Sequence, residues 1–264
     1  MGVNQYNFIS APYDSNDAIE STDDLKRLII CTSPRTAGHA LGNHIKVAGW
    51  GVPAEYFQPA QAVKLYARWF QSDGIPSFNQ INQNHQEYAK KLLELRSVNG
   101  IFSAKIFPYN YFFLKKFIGS ENNQYLHLER QDQFSHLISI LTVMLTGRPF
   151  DSEEEETLIY RLKNIDELGI HKVYKTLRSE TEFWNNFFSK LDNASYLNIK
   201  TEEFIDSPSG IINRISDKFN LPIHLSYSSH DFSRDRRYSQ DVLIKKNLTS
   251  KYGKYIQSLI NNHQ

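Results

Sequence analysis

The sequence predicts an α/β fold in which a central parallel sheet is covered by helices on both faces. Short apolar runs typical of β-strands alternate with longer segments whose apolar residues recur at helical spacing. The predicted strands cover residues 28–31, 101–106, 124–129 and 195–200. Because helices separate these strands, they are expected to pair in parallel. Such sheets bind ligands at the carboxyl ends of their strands, which makes the residues after each strand the candidates for function.

The segments between the strands predict helices, with two polar exceptions. Residues 71–86 are rich in Asn and Gln and contain Gly74 and Pro76, so a long surface loop or lid is expected there. Residues 226–240 form a second polar, Arg-rich loop. The predicted helices cover residues 40–48, 58–70, 87–96, 109–117, 131–145, 209–220 and 241–261, with a long stretch or helix pair that ends at residue 191 and is interrupted near Gly169.

Length and composition restrict the number of domains, the kinds of partner and the location that are expected for this protein. The 264 residues suit one large domain at 27–264 after a polar leader at 1–26, since no linker-like segment divides them. With 30 basic against 29 acidic residues, the charge gives no case for a nucleic-acid partner. The leader has no signal-peptide pattern, and no apolar run is long enough for stable membrane insertion. The single cysteine, Cys31, is expected to be a buried small side chain rather than a reactive thiol. A cytoplasmic location is the resulting expectation.

The chain is organised around the segment from Arg27 to Phe57. An apolar strand leads into a small polar turn, Thr32-Ser33-Pro34-Arg35-Thr36-Ala37-Gly38-His39, and a helix follows. The first amides of a helix have no partner within the helix, and its dipole favours negative charge there. Arg35 adds a planar cation suited to phosphate or sulfate oxygens. The turn is therefore predicted to bind an anion.

The same turn lacks the features of a nucleoside-triphosphate site. The P-loop pattern of those sites requires two glycines at fixed spacing followed by Lys and Ser or Thr, and no such spacing occurs here. The third predicted strand ends in Glu129-Arg130 without the aspartate that usually holds magnesium. A metal-dependent kinase or nucleotide hydrolase is disfavoured, and no metal is expected.

Six fragments in order carry a resemblance to a known family. They are LIICTSPRTAGHAL, AGWGVPAEYF, GIFSAKIF, YLHLERQDQFSHLISI, the aromatic run around Phe183-Trp184 with YLNIKTEEFIDSP, and RRYSQD. Together they resemble the trehalose 2-sulfotransferases and related bacterial carbohydrate sulfotransferases. One fragment departs from the pattern: the family's loop usually reads Arg-Ser-Gly-Ser-Thr, whereas this chain has Ala37-Gly38-His39 after Arg35-Thr36.

This resemblance implies a P-loop-like three-layer fold and a reaction. The donor would be 3′-phosphoadenosine 5′-phosphosulfate, the acceptor a hydroxyl of a carbohydrate or glycolipid, and the assembly a homodimer. Glu55 would be the general base, with Arg35 and Lys105 as further catalytic residues. On the residues alone, Glu55 also suits a hydrogen bond to a turn, and Lys105 suits pairing with a nearby carboxylate.

The resemblance also implies which residues bind the donor. The 5′-phosphosulfate would lie on the turn, and the 3′-phosphate on Arg130 and Ser139, with Arg236 and Arg237 closing from the late loop. Arg236 and Arg237 are equally compatible with a solvated basic loop. The Ser139 hydroxyl is equally compatible with a hydrogen bond to the backbone of its own helix. The turn residues involved are Ser33, Arg35, Thr36, Ala37, Gly38 and His39.

Two other functions stay open at this level. A nucleotide-dependent phosphotransferase would use the same anion turn and would depend on magnesium. A non-catalytic relative would bind nucleotide or sugar without turnover, and the altered loop after Arg35 motivates this alternative.

Overall fold

A central five-stranded sheet confirms the predicted α/β architecture. The computed structural model describes residue 17 and residues 24–70, 76–146, 165–224 and 239–262. The strands run in the order β2-β3-β1-β4-β5. Strand β1 lies in the centre and pairs in parallel with β3 and β4, and β4 pairs in parallel with β5. The strands are β1 Lys26–Thr32, β2 Ser97–Val98, β3 Ile101–Ile106, β4 Asn123–Glu129 and β5 Tyr196–Lys200.

Strand β2 was not predicted and is the antiparallel member of the sheet. It pairs with the start of β3 at the sheet edge. The two strands are joined by Asn99 and Gly100, with φ angles of 55° and 71°. Positive φ at both central residues defines the tight hairpin turn that Asn-Gly favours. The dipeptide was therefore a hairpin signal, although a two-residue strand offers too little pattern to detect.

The described residues form ten α-helices around the sheet. Their bounds are α1 Gly38–Val47, α2 Pro59–Phe70, α3 Phe78–Gln83, α4 His85–Arg96, α5 Tyr111–Ile118, α6 Gln133–Thr146, α7 Glu167–Phe188, α8 Thr201–Asp206, α9 Pro208–Phe219 and α10 Ser239–Asn261. Most lie within two residues of the predicted positions, which is the usual uncertainty of helix ends. None of these helices is both long enough and apolar enough to cross a bilayer.

Alternate residues of β1 face two separate cores. Ile29 and Cys31 pack with residues of α2, α4, α5 and α7 on one face. Leu28 and Ile30 pack with α1 and α9 on the other. All four are fully buried, as expected for a central parallel strand whose side chains point alternately to both faces. Burial raises the pKa of the Cys31 thiol, in line with a structural role.

One sequence prediction about an irregular segment was wrong. The expected loop at 71–86 contains α3 and the start of α4, while residues 71–75 lie outside the described part. Ser77 and Gln80 form a capping box at the start of α3, and Ile81 is fully buried. The interruption predicted near Gly169 agrees with residues 165 and 166, which are not helical and directly precede α7. Gly169 itself lies in the first turn of α7, where its amide donates to the capping carboxylate of Asp166 at 2.7 Å.

Asp17, which belongs to the predicted leader, is paired with the body of the domain. Asp17 lies 3.0 Å from Nη2 of Arg96, which is completely buried, and it also pairs with Arg68. The Arg96 contact is an ion pair without the alignment of a hydrogen bond. The Trp69 indole donates to the same carboxylate at 3.2 Å, and the Arg96 guanidinium lies 5.7 Å from the Trp69 ring. Asp17 therefore neutralises a cation within the aromatic core.

Replacing Asp17 with alanine is expected to lower the free energy of unfolding by about 3 kcal/mol, because it leaves a buried guanidinium without its counter-charge. Urea denaturation followed by circular dichroism measures the loss. Glu94→Ala is the matched control, since it removes only surface pairs with Lys90 and Lys91 and should cost less than about 0.5 kcal/mol. Equal stability of the two variants would contradict the role given to Asp17.

Candidate active site

The turn after β1 has the backbone of an anion-binding loop. Arg35 and Ala37 both have left-handed conformations, with φ angles of 66° and 61°. Such angles are uncommon for residues other than glycine and are retained where the surroundings enforce them, often at functional sites. Ala37 is the N-cap of α1, and its methyl group offers no oxygen to cap the helix. The first amides of α1 are therefore left for an external acceptor.

Threonine hydroxyl groups fix the backbone of the loop and bind it to the neighbouring strand ends. Thr36 Oγ1 donates to the Ser33 carbonyl at 2.9 Å, and Thr201 Oγ1 donates to the Thr36 carbonyl at 2.9 Å. Thr32 Oγ1 contacts Thr36 Oγ1 and lies 2.9 Å from the Leu128 carbonyl. These bonds tie the loop to the carboxyl ends of β4 and β5, where Leu128 and Thr201 stand.

Two aromatic residues support the loop from α6 and α7. The Trp184 indole donates to the Thr32 carbonyl at 3.1 Å, and His136 Nε2 donates to the Pro34 carbonyl at 2.6 Å. Burial lowers the pKa of His136 and the hydrogen bond to Pro34 partly offsets it, which favours the neutral ring with its proton on Nε2. Neither residue was predicted to take part, because each contacts the loop from more than a hundred positions away.

A first group of predicted site residues lies beside the N-terminus of α1. It consists of Lys105, Glu55 and His39. Lys105 Nζ is 2.7 Å from Glu55 Oε1 and 3.1 Å from His39 Nε2. The Lys105 and Glu55 side chains are only 5% and 11% exposed. Pairing with a carboxylate was one of the two roles expected for Lys105, and the structure shows this pair. A Cβ on Gly38 would lie 3.1 Å from Cδ of Lys105, so a glycine here lets the lysine pass under the helix start.

The backbone of residues 51–54 places Glu55 beside Lys105. Gly51 has a φ of 85°, and a Cβ there would lie 2.7 Å from the Ile101 carbonyl oxygen. Only glycine allows so close an approach of two backbones in this conformation. The segment then runs along β3, where the Lys105 amide donates to the Ala54 carbonyl at 2.9 Å. That backbone bond places the side chains of Glu55 and Lys105 next to one another.

The charges within this group keep His39 neutral. Partial burial, and after it the charge of Lys105, lower the pKa of His39 to about 4. The ring is 71% exposed, so solvent moderates the effect, but an ammonium 3.1 Å away opposes protonation in any case. Burial also lowers the pKa of Lys105, and Glu55 counteracts it. A neutral His39 accepts a hydrogen bond from the ammonium and so helps to fix its direction.

A second group of predicted residues lies on the α6 side of the loop. Arg35 Nε donates to Ser139 Oγ at 3.2 Å, and Arg130 Nη1 makes a long contact of 3.5 Å with the Arg35 carbonyl. The structure thus brings Arg35 together with Arg130 and Ser139. Arg236 and Arg237 lie outside the described residues.

A cavity of about 410 Å³ adjoins the loop between β4, α6 and α7. Its lining combines loop residues Ser33 and Thr36 with Arg130 at the end of β4. Tyr174 and Leu177 from α7 supply apolar wall. The cavity therefore has both arginine and carboxylate side chains at its polar end, part of the loop along one wall and an apolar side, and its volume suits a small ligand such as a nucleoside.

One carboxylate beside the loop was missed in the sequence. Glu180 on α7 forms a hydrogen bond with Ser33, and burial raises its pKa. It stands three residues after Leu177 and four before Trp184, so it shares their inward face. A carboxylate within such an apolar stripe was the signal that could have identified it.

Comparison with solved structures identifies the fold. The sulfotransferase STF9 from Mycobacterium avium is 10% identical, with 89% of this chain and 77% of that chain covered at a TM-score of 0.51. This chain shares the fold of a sulfotransferase. Sulfotransferase STF1 from Mycobacterium tuberculosis aligns at 12% identity over 91% of this chain and 76% of that chain, with a TM-score of 0.49. The sulfotransferase domain from the curacin biosynthetic pathway aligns at 13% identity over 76% of each chain, also at 0.49.

Two comparisons of the sequence found no match. No protein-family model matches the chain. A search of curated proteins also gives no match. The similarity to solved structures therefore establishes the fold, and the reaction has to be argued from the site itself.

The buried histidine at the cavity predicts a pH-dependent stability. Burial lowers the pKa of His127 from 6.5 to about 4, and the hydrogen bond with Asn198 partly offsets this. The native state then binds fewer protons than the unfolded state between these values, so this contribution is complete above pH 6.5 and is lost as the pH falls toward 4. At pH 5 the loss is about 2 kcal/mol.

Urea denaturation of wild type and His127→Gln at pH 7.5 and pH 5 measures this contribution. The wild type is expected to lose about 2 kcal/mol more than the variant over this range. Equal losses in the two proteins would show that His127 does not carry the effect.

Proposed function

We propose that this protein is a sulfotransferase that moves a sulfuryl group from 3′-phosphoadenosine 5′-phosphosulfate to a hydroxyl of a carbohydrate or glycolipid, without a metal ion. The observation that carries the proposal is the 2.7 Å pair of Glu55 and Lys105 beside the uncapped start of α1. It combines a proton acceptor, a cation and a set of backbone amides at one point. The resemblance of the sequence to the trehalose 2-sulfotransferase-like family supports the same reaction.

The described residues fit such a donor. The amides from Arg35 to His39 would hold the 5′-phosphosulfate, and Arg130 with Ser139 would hold the 3′-phosphate. The 410 Å³ cavity between them has room for the nucleoside. Arg35 bonds to Ser139 and its own carbonyl contacts Arg130, so it links the two phosphate positions. When bound, the donor supplies an activated sulfuryl group whose bond to the 5′-phosphate breaks.

Each residue of the first group then has a chemical role. Glu55 accepts the proton of the acceptor hydroxyl as that oxygen attacks sulfur. Lys105 and the loop amides stabilise the negative charge spread over the sulfuryl oxygens and the departing phosphate. His39 directs the Lys105 ammonium by accepting its hydrogen bond. Positioning and preorganised charge supply the catalysis, as in phosphoryl transfer.

A non-catalytic binding protein is the second candidate. The observation in its favour is that Lys105 contacts both Glu55 and His39, which occupies two of its three hydrogens. Such a protein would bind the nucleotide without turnover. A magnesium-dependent phosphotransferase is distinguished by its metal requirement.

The enzyme is further proposed to act in the cytoplasm as a homodimer.

The donor site is tested by calorimetric titration with 3′-phosphoadenosine 5′-phosphate, with and without magnesium. The wild type is expected to bind it equally in both conditions. Arg130→Ala should weaken binding by about 1.5–3 kcal/mol, because a charge-assisted bond to the 3′-phosphate is lost. Arg214→Ala, which removes a surface pair with Glu203, is the matched control and should bind normally. No binding by the wild type would refute the donor site, and binding only with magnesium would favour the phosphotransferase.

The role of Glu55 is tested by Glu55→Gln, which keeps the shape of the side chain and removes its basicity. Transfer of ³⁵S from labelled donor to simple glycosides is expected to slow by about 10²–10⁴-fold. Nucleotide affinity should not fall, since Glu55 itself makes no contact with the donor and its replacement removes a negative charge next to Lys105 and the 5′-phosphate position. Unchanged turnover would remove Glu55 from the role of base, and no turnover by a wild type that binds nucleotide would favour the non-catalytic candidate.

A further inference from the structure

A buried histidine forms part of the wall of the 410 Å³ cavity. His127 lies on β4 and is only 5% exposed. Its ring stacks on Phe188 of α7, with ring centres 4.5 Å apart and planes 25° from parallel. Its Nδ1 lies 3.0 Å from Oδ1 of Asn198, which is the paired residue on the neighbouring strand β5. The stacking and the strand pairing together fix the position and the rotation of the ring.

The bond with Asn198 decides which nitrogen of the ring carries the proton. Nδ1 donates its hydrogen to the amide oxygen, so the neutral ring keeps a lone pair on Nε2. The ring is neutral at pH 7, because burial lowers the pKa of His127 to about 4. Nε2 is therefore a hydrogen-bond acceptor and has no proton to donate.

This acceptor is unused in the protein and can still be reached. None of the described residues forms a hydrogen bond with Nε2 of His127. The atom keeps some accessible surface, unlike Nδ1 of His85 and Nε2 of His224, which are fully buried without a partner. The opening beside the ring is the cavity that it lines. A fixed acceptor in such a place suits a ligand that brings a donor group.

The depth of His127 in the cavity indicates which part of a nucleotide would meet it. Arg130 directly follows the last residue of β4, and at about 3.3 Å per residue His127 lies roughly 10 Å behind it along the strand. A nucleotide with its phosphates on Arg130 and the loop would extend its base toward this depth. Tyr174 and Leu177 line the same cavity and offer apolar surface to the base. The 6-amino group of adenine lies on the side of the base away from the ribose, so it is the donor that would meet Nε2.

We infer that His127 selects the base of the donor nucleotide, with Nε2 accepting a hydrogen bond from the 6-amino group of adenine. A base without a donor at this position would leave Nε2 unpaired in a largely buried place, which disfavours its binding. Asn198 is a positioning residue, since it holds the tautomer that makes Nε2 an acceptor. The inference rests on the proposed function for the entry of the nucleotide into this cavity, and it adds the residue that distinguishes one base from another.

The role of His127 is tested by calorimetric titration at pH 8 with two nucleotides. They are 3′-phosphoadenosine 5′-phosphate and the 3′,5′-bisphosphate of purine riboside, which lacks only the 6-amino group. The wild type is expected to bind the second about tenfold more weakly, because Nε2 is left without its donor. His127→Phe keeps a ring against Phe188 and removes the acceptor, so it should bind the two nucleotides within about threefold of each other.

Variants of Asn198 test the tautomer separately. Asn198→Asp keeps an acceptor opposite Nδ1 and should retain the preference of about tenfold. Asn198→Leu no longer holds the proton on Nδ1 and should reduce the preference to about threefold or less, whereas a purely structural role would lower stability and leave the preference unchanged. His171→Phe makes the same substitution on α7 away from the cavity lining, and both of its affinities should match wild type. Thermal melts establish that each variant is folded.

The outcomes separate this inference from the donor site itself. Equal affinity of the wild type for the two nucleotides overturns the role of His127 and leaves the proposed function intact. A preference that persists in His127→Phe places the base contact on another residue and overturns the inference as well. No binding of either nucleotide by the wild type overturns the inference together with the proposed donor site. A preference that is lost in His127→Phe and retained in Asn198→Asp supports it.

Discussion

The direction of the peptide groups in the loop after β1 determines what this site is able to bind. Every carbonyl from residue 32 to residue 36 accepts a hydrogen bond or contact from a side chain. Trp184 bonds to residue 32, His136 to residue 34, Arg130 to residue 35 and Thr201 to residue 36, while Thr36 bonds to residue 33. With these carbonyls bound to side chains from the body of the domain, the uncapped amides at the start of α1 are left for an external acceptor. Four separate elements thus combine to make a positive surface from a nearly uncharged loop.

The same constraint explains the substitutions that distinguish this loop from the family it resembles. Ala37 takes the left-handed conformation that a glycine would adopt more easily, and Gly38 lies where Lys105 passes under the helix. His39 stands at the position of a hydroxyl donor and contacts Lys105 instead of offering a proton. The turn therefore holds its left-handed conformation with alanine at residue 37, and His39 contacts Lys105 where the family has a hydroxyl side chain.

Much of the fold was predictable because it depends on local pattern. The apolar run before Thr32, the turn residues and the helix start are adjacent in the chain, so periodicity and turn chemistry identify them together. The placement of Arg35 with Ser139, the support from His136 and the buried position of Glu180 are long-range results of how α6 and α7 pack. No local pattern encodes the first two, whereas the apolar stripe of α7 was a local signal for Glu180. The capping box at Ser77 and the Asn99-Gly100 hairpin were local signals, but the polar composition around the first and the shortness of β2 concealed them.

The central claim is that the loop from Ser33 to His39 binds the 5′-phosphate end of the donor, with Lys105 next to it. A crystal structure of the protein with 3′-phosphoadenosine 5′-phosphate tests it most directly. The account predicts 5′-phosphate oxygens within about 3 Å of the loop amides, and the 3′-phosphate on Arg130 and Ser139. A nucleotide whose phosphates lie away from this loop, or reach it only through a metal ion, would contradict it.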